Sequence, residues 1–284
     1  MKFVVVITSV LLAATINAQP PSDAALDRKV ISKLSTQYRI HSKVIQHLDL
    51  TEPFQTVSRW SLVVAKQPDS ESSVGDGLGN PMGAIYFCFV QREEPDCSHE
   101  IFRTNDESST GPVYQVFATD VVFAGPEKTL PLLRTKTCGT GGATGNCGVT
   151  TFLLAYDRSA DRFRAVFSNV QGRNNNEETR YIESGALLGQ VIVDYPTEKA
   201  PFTYFVEVYK QAPSGKYAQI LKYRGTTGYG DGNILAVIDS QMPETLRRLG
   251  LWKDGDPLPV PPRMPRGCGS LVMRKGVAWC QPRR

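Results

Sequence analysis

The sequence lacks most of the features that would place it in a membrane or in a known class of enzyme. Residues 3–16 form an apolar run of about fourteen residues, fewer than the ~20 that a membrane-spanning helix needs, and no second long run follows. There is no Gly-x-Ser-x-Gly motif, and His99-Glu100 has no second histidine at metalloprotease spacing. We therefore expect a soluble protein whose chemistry no short motif reveals.

Cysteine is absent from the first 87 residues, and the six cysteines that follow lie in close pairs along the sequence. None of the intervals is the two-to-four-residue gap typical of a zinc knuckle, so a zinc site is the weaker interpretation. Closely spaced cysteines in an exported protein indicate local disulfides. The predicted disulfides are Cys88–Cys97, Cys138–Cys147 and Cys268–Cys280.

The first 18 residues have the order of parts of a signal peptide. Lys2 supplies a positive charge, the apolar run follows, and the small residue Ala18 precedes a polar segment at 19–21. Cleavage after residue 18 would remove 18 of the 284 residues and leave 266, enough for a large hydrophobic core. We expect an exported protein, either periplasmic or extracellular.

Apolar side chains recur at steps of three and four early in the mature chain, as on one face of a helix. Ser22 and Asp23 suit the N-terminal cap, and Pro53 suits the end. The pattern predicts one amphipathic N-terminal helix of about 25 residues. The residues on its apolar face are Ile31, Leu34, Tyr38, His41, Ile45 and Leu48.

From about residue 54 to residue 238 the sequence is typical of β-structure, with short branched and aromatic segments between turn-rich loops. Two turns, at residues 156–163 and 212–216, are short enough to join neighbouring strands, so these strands should run antiparallel. The predicted fold class is mainly β, an antiparallel meander arranged as a sandwich or as a barrel-like sheet. The predicted strands are residues 60–65, 84–90, 113–123, 149–156, 163–167, 188–193, 202–209 and 217–223.

The C-terminal part of the chain is predicted to contain a short helix, a connector and a hairpin. The helix, of about eight residues, begins at Met242-Pro243 and ends at Gly250. Residues 19–252 would then form a β-rich domain and residues 253–267 a proline-rich, semi-rigid connector. Residues 268–284 would form a basic, cystine-closed hairpin.

The end of the chain is strongly basic, because residues 263–284 contain six Lys and Arg residues and no acid. We expect the hairpin there to turn at residues 274–276 and to use Trp279 as its main apolar anchor. Such a segment is either solvated or in contact with an anionic surface. We expect no nucleic-acid partner.

Two polar loops, at residues 172–180 and 229–233, interrupt the predicted strands and form the candidate binding surface. Residues 172–180 concentrate amide, carboxylate and guanidinium groups, which suit hydrogen bonds to sugar hydroxyls or to a peptide backbone. The alternative is a simple turn in which Arg180 pairs with Glu177 or Glu178. The predicted binding residues are Arg173, Asn174, Asn175, Asn176, Glu177, Arg180, Tyr229, Asp231 and Asn233.

Two other motifs match known ligand sites only in part. The glycine-rich segment at 138–147 lacks the Gly-Lys-Ser/Thr ending of a phosphate-binding loop, so we expect a hairpin tip. Asp231, Asn233 and Asp239 occupy three positions of a calcium-loop template, but Ala236 and Met242 stand where it needs glycine and an acid. We therefore expect neither a metal nor a cofactor.

Residues 174–180, 229–239 and 246–252 together resemble a group of uncharacterised exported bacterial proteins. The likeness covers the second half of the mature chain and implies no established activity. The function we expect is binding, either of an envelope glycan or of another protein. The alternatives are an inhibitor or immunity factor for another protein, and a glycan hydrolase that uses paired carboxylates. The candidate acids for a hydrolase are Glu177, Glu178, Asp231 and Asp239.

Overall fold

The computed structural model describes residues 21–72, 81–99, 101, 112–125, 128–139, 147–172, 176–228 and 230–283. The predicted signal peptide and the tip of the glycine-rich loop, residues 140–146, lie outside these ranges. In order, the helices and strands are α1 (Pro21–Tyr38), β1 (Lys43–Asp49), α2 (Thr51–Phe54), β2 (Trp60–Lys66), β3 (Ile85–Gln91), β4 (Glu94–Ser98), β5 (Val113–Ala124), β6 (Leu130–Gly139), β7 (Gly148–Asp157), β8 (Arg162–Gly172), β9 (Glu178–Tyr181), β10 (Val191–Pro196), β11 (Thr203–Gln211), β12 (Tyr217–Gly228), α3 (Val237–Arg248), β13 (Cys268–Arg274) and β14 (Val277–Pro282).

The strands form four antiparallel sheets, each built from neighbours in the sequence. The N-terminal sheet has the order β1-β2-β3-β4, the central sheet β5-β6-β7-β8 and the C-terminal sheet β12-β11-β10-β9. β13 and β14 form the terminal hairpin. The mainly β, antiparallel fold class is confirmed. Since none of the described sheets closes on itself, the sandwich is the observed alternative.

The sheets stack in layers with the central sheet in the middle. In β7, Phe152 and Leu154 belong to the core shared with the N-terminal sheet, whereas Leu153 belongs to the core shared with the C-terminal sheet. Because successive side chains of a strand point to opposite faces, the central sheet is buried on both sides. α1 covers the outer face of the N-terminal sheet, and α3 covers the outer face of the C-terminal sheet.

The prediction of a single N-terminal helix is wrong in its second half, which forms β1. Leu34 of α1, on the predicted apolar face, is fully buried against the N-terminal sheet. Val30, which was not predicted on that face, is also fully buried, whereas Ile31, which was, is only partly buried. The helix ends at Tyr38, and the next residue, Arg39, has a positive φ of 58°. β1 pairs with β2 along its length, so its backbone groups gain the partners of a sheet. Ile45, predicted on the apolar face of the helix, is 45% exposed.

The eight predicted strands correspond to β2, β3, β5, β7, β8, β10, β11 and β12, and both predicted hairpin turns are present. β10 begins at Val191 rather than at residue 188, because a turn with Gly189 at φ 78° precedes it. Besides β1, the strands β4, β6 and β9 were not predicted. β6 carries Thr135 and Thr137, which are polar yet buried, and β4 and β9 have only five and four residues.

The short C-terminal helix is confirmed, but it begins at Val237, six residues before the predicted start at Pro243. Ile238, Met242 and Leu246 recur at steps of four and are buried in the core that α3 shares with the C-terminal sheet. This burial keeps the helix continuous past Pro243, although the proline lacks an N–H and so removes one helical hydrogen bond.

The proline-rich connector and the terminal hairpin both pack near α3. Leu258 and Val260 of the connector join the core under α3. The hairpin turns where it was predicted to, but its buried anchors are Val277 and Ala278. Trp279 is only partly buried, so its prediction as the main anchor is wrong.

All three predicted disulfides are present. In sequence order, they join β3 to β4, the end of β6 to the start of β7, and β13 to β14. Three disulfides indicate an oxidising environment outside the cytosol. Over the ranges that the structure describes, no helix combines the length and the apolar character needed to cross a membrane.

Candidate functional site

The two predicted binding loops emerge from the same end of the C-terminal sheet. β9 begins there, β12 ends there, and the turn between β10 and β11 lies between them. Neighbouring strands lie about 4.8 Å apart, so loops separated by three strand spacings are about 14 Å from each other. Arg173, Asn174, Asn175 and Tyr229 lie outside the described residues, and this surface stays a prediction.

Carboxylates in both loops accept hydrogen bonds from described backbone N–H groups. Glu177 Oε2 accepts a hydrogen bond from the backbone N–H of Gly172 at 3.1 Å, and Asn176 beside it has a positive φ of 57°. Asp231 accepts hydrogen bonds from two backbone N–H groups of its own turn, at 3.1 and 2.8 Å. Asn176 and Asp231 are exposed at the surface. The carboxylate of Glu177 therefore bonds to the end of β8, and that of Asp231 bonds to the described residues on either side of it.

Asn233 ties the terminal hairpin to the start of α3. Its Nδ2 donates to the carbonyl oxygen of Ala278 at 2.9 Å and to Oγ of Ser240 at 3.0 Å. Its Oδ1 accepts a hydrogen bond from the N–H of Cys280 at 3.3 Å. Both ends of the amide thus have partners inside the protein.

Arg180 lies at the centre of a buried ion-pair network. Its Nε and Nη2 donate to Glu178 at 2.7 and 2.6 Å, and its Nη1 and Nη2 donate to Asp239 at 2.7 and 2.8 Å. Burial acts to lower the pKa of the guanidinium, but the hydrogen bonds to Asp239 and Glu178 outweigh it and raise the pKa. The pairing of Arg180 with Glu178 is one of the two pairings expected if residues 172–180 form a simple turn. The pairing with Asp239 was not predicted.

This network also fixes the environment of two candidate acids. Glu178 and Asp239 face one shared guanidinium, and Asp239 Oδ1 also accepts the backbone N–H of Arg263 at 2.7 Å. A glycosidase needs its two carboxyl groups on either side of a bound sugar, whereas Glu178 and Asp239 both point at one guanidinium group. The geometry suits a structural ion-pair network that links β9 to α3 better than it suits proton transfer.

Two charged residues had no signal in the sequence: Asp194, which is fully buried, and Lys136, which is partly buried. Asp194 in β10 accepts the N–H of Glu178 at 2.5 Å through Oδ1, and its Oδ2 has no hydrogen-bond partner among the described residues. Burial raises the pKa of this carboxyl well above its usual value. Lys136 in β6 donates to the carbonyl oxygen of Thr179 at 3.2 Å, and burial lowers the pKa of its ammonium group. Lys136 thus lies where the central sheet meets β9 of the C-terminal sheet.

Asp161 joins the β7–β8 turn to the N-terminal sheet. Its carboxylate accepts hydrogen bonds from Trp60 Nε1 at 2.9 Å and Tyr156 O–H at 2.6 Å. It also accepts from Ser58 Oγ at 2.5 Å and from Gln91 Nε2 at 2.8 Å. Burial acts to raise the pKa of Asp161, but these hydrogen bonds lower it well below its usual value. The contacts fix the start of β8, which follows at the next residue.

A cleft lined by aromatic side chains, here called the aromatic cleft, opens between β4 and β8, the edge strands of the N-terminal and central sheets. Its volume is about 480 Å³. The rings of Trp60 and Phe89 have centroids 5.5 and 5.7 Å from that of Phe163, and 6.5 Å from each other. Tyr38 closes one side, where its O–H donates to the carbonyl oxygen of Cys97 at 2.7 Å.

Three polar side chains stand at the rim of the aromatic cleft. They are Gln37 at the end of α1, Asp96 in β4 and Arg162 at the start of β8. All three are exposed, and none forms a hydrogen bond or an ion pair with another described residue. The cleft therefore combines an apolar floor with an amide, a carboxylate and a guanidinium whose hydrogen-bonding capacity the described protein leaves unused.

No pattern in the sequence predicted this cleft, because its residues come from separate segments between positions 37 and 163. Trp60, Phe89 and Phe163 each lie in a strand that was predicted, so their burial could be expected but not their convergence.

The described part of the chain contains no group of three or more His, Cys, Asp or Glu side chains placed to hold a metal ion.

Comparison with protein-family models, with curated proteins and with solved structures finds no match to the chain.

Proposed function

We propose that this protein is an exported binding protein and that its ligand is a glycan held in the aromatic cleft. A sugar ring has an apolar face of C–H groups and a rim of hydroxyl groups. The apolar face packs on aromatic rings, and the hydroxyl groups need donors and acceptors beside them. An apolar pocket with a few convergent polar groups is typical of small-ligand sites, which span about 300–1,000 Å³.

The observation that carries the proposal is the set of unpaired polar groups around the aromatic floor. Gln37, Asp96 and Arg162 have no partner in the described protein, so water satisfies them in the free state. A ligand that displaces this water must replace its hydrogen bonds. Hydroxyl groups both donate and accept, so they can pair with all three side chains. A purely apolar ligand would leave them unpaired.

The proposed cellular location agrees with such a ligand. The three disulfides indicate an oxidising compartment, and we propose the periplasm or the cell exterior, where envelope glycans are accessible.

Binding fits the aromatic cleft better than hydrolysis does. Most glycosidases use two carboxyl groups about 5–10 Å apart on either side of the bond that breaks. Of the described residues that line the cleft, Asp96 is the one acid. A glycan in this position would meet a single carboxylate, which can accept a hydrogen bond from a hydroxyl group.

The test is calorimetric titration of the oxidised mature protein, residues 19–284, with oligosaccharide fragments of envelope glycans. We expect Arg162→Gln and Asp96→Asn each to lower the affinity about tenfold or more, because each removes a charged hydrogen-bonding partner. Arg164→Gln is the matched control, since Arg164 is exposed on the same strand but does not line the cleft. Its affinity should equal that of the unmodified protein.

The same titration separates the aromatic cleft from the loop surface predicted at the end of the C-terminal sheet. The double variant Asn175→Ala with Glu177→Gln should bind oligosaccharide normally. If it loses affinity while Arg162→Gln does not, the glycan site lies at the loops. If no oligosaccharide binds at all, the proposed function is wrong.

A further inference from the structure

Hydrogen bonds to β14 attach the terminal hairpin to the start of α3 and the loop before it. The carbonyl oxygen of Ala278 accepts hydrogen bonds from Asn233 Nδ2 and Ser240 Oγ at 2.9 and 3.0 Å. The N–H of Cys280 donates to Asn233 Oδ1. These contacts all lie on β14, so β13 is the outer strand, and the turn between the two strands projects beside α3.

Exposed cations lie along this hairpin and along the segment that precedes it. Residues 263–283 contain five basic residues and no acid, and all five are exposed without an ion pair to any described residue. The nearby Glu244 is already paired with Arg247 and Arg248, while Asp254 and Asp256 line a groove together with Lys275. Over residues 244–283, eight basic and three acidic residues leave a net charge of +5. The five cations are Arg263, Arg266, Arg274, Lys275 and Arg283.

Apolar side chains that neighbour these cations in the sequence are also exposed. Met264 and Met273 are 49% and 46% exposed, and Val272 is partly exposed. The guanidinium of Arg274 lies 4.8 Å from the ring centroid of Trp279. Cations mixed with exposed apolar side chains are typical of surfaces that enter the headgroup region of a membrane.

We propose that the terminal hairpin attaches the protein to an anionic phospholipid surface. Lipid phosphates would pair with the five cations, and the two exposed methionines would leave water at the acyl boundary. A hydrated polyanion such as an acidic polysaccharide would pair with the cations but leave Met264 and Met273 in water. The lipid surface accounts for both the charge and the apolar exposure.

Vesicle binding tests this attachment in the oxidised mature protein. We expect the protein to sediment with vesicles of phosphatidylglycerol and phosphatidylcholine, and to stay in solution with vesicles of phosphatidylcholine alone. High salt should release it, because salt screens exposed charges. Tryptophan fluorescence is a second readout. Trp60 and Trp252 are only 8% and 9% exposed, so a shift to shorter wavelength on binding would come mainly from Trp279.

A pair of double variants locates the attachment on the hairpin. Arg274→Gln with Lys275→Gln should weaken binding to anionic vesicles about thirtyfold, since each basic residue near such a surface contributes about fivefold. Lys210→Gln with Lys216→Gln removes the same charge from exposed positions at the β11–β12 turn and should leave binding unchanged. Met273→Ser should also weaken vesicle binding, although it removes no charge.

Three results would overturn the proposal. The first is equal binding to both kinds of vesicle, and the second is an equal loss in the two double variants. The third is binding to a sulfated polysaccharide such as heparin without binding to anionic vesicles, because this would identify a polyanion as the partner. Failure of oligosaccharides to bind the aromatic cleft would leave the vesicle result unaffected, since the two sites share no residues.

Discussion

Asp194 shows how one buried carboxyl group links the stability of the fold to pH. Its side chain is fully buried, and burial raises its pKa well above the usual 3.8. Such a carboxyl binds its proton more tightly in the folded protein than in the unfolded chain. Its contribution to stability is therefore complete below the unfolded-state pKa and is lost as the pH rises through the raised folded-state pKa.

We expect Asp194→Asn to stabilise the protein at pH 7 by about 1 kcal/mol, because the neutral amide removes the need to bury a charge. The Oδ1 atom of asparagine can still accept the N–H of Glu178. The measurement is urea denaturation at pH 4 and at pH 7, and the advantage of the variant should be larger at pH 7. A variant that is less stable than the unmodified protein at both values would show that the carboxylate has a partner that compensates its burial.

Arg180 marks the limit of what the sequence could reveal about single residues. Its pairing with Glu178 was predictable, because side chains two positions apart on a strand lie on the same face. Its pairing with Asp239, 59 residues away, depends on how α3 packs on the C-terminal sheet. No spacing rule describes that packing, so the sequence supported a turn and a binding loop equally well.

The turn between β7 and β8 depends on Asp161 more than on its own backbone. The pattern of the sequence predicted this turn, but it gave no sign that the aspartate is bonded to residues 70 to 103 positions away. These bonds hold the first residues of β8, Arg162 and Phe163, in the aromatic cleft. Because the folded-state pKa of Asp161 is lowered, its contribution to stability is present above the unfolded-state pKa and is lost as the pH falls through the lowered value.

We expect Asp161→Asn to lower the free energy of unfolding at pH 7 by about 2–3 kcal/mol. The NH2 group of asparagine would face hydrogen-bond donors, whereas both oxygens of the carboxylate accept hydrogen bonds. The variant should also lose less stability than the unmodified protein between pH 5 and pH 3. Guanidinium denaturation across this range measures both effects. Glu198→Gln, at an exposed position with no hydrogen bond among the described residues, is the control and should change neither. An unchanged acid response in Asp161→Asn would contradict the assignment.

Local patterns did not separate helix from strand where the spacing of apolar residues fits both. Val30 and Leu34 fit a helix, but Ile45 and Leu48 also fit its spacing although they belong to β1. The choice between helix and strand is made there by pairing with β2, which the local sequence does not contain. β6 was missed for a related reason, since the central sheet buries Thr135 and Thr137, which look like exposed positions.

At the scale of the molecule, the central sheet joins two cores that would otherwise be separate. The sequence predicted antiparallel strands from their short turns, but the stacking order of the sheets depends on contacts between distant segments. β7 shows the connection most directly, because Phe152 packs toward the N-terminal sheet and Leu153 toward the C-terminal sheet. We therefore expect the three sheets to unfold together.

Leu153→Ala tests this cooperativity. Leu153 is fully buried, so its truncation should lower the free energy of unfolding by about 3–4 kcal/mol. Scanning calorimetry should still show one transition, at a lower temperature. Native-state hydrogen exchange should show that protection falls in β2 and β3 as well as in β10 and β11, because the two cores share β7.

Leu251→Ala is the control, at a position 42% exposed, and should change stability by less than about 0.5 kcal/mol. Two separate transitions, or protection lost only in the C-terminal sheet, would show that the layers unfold independently.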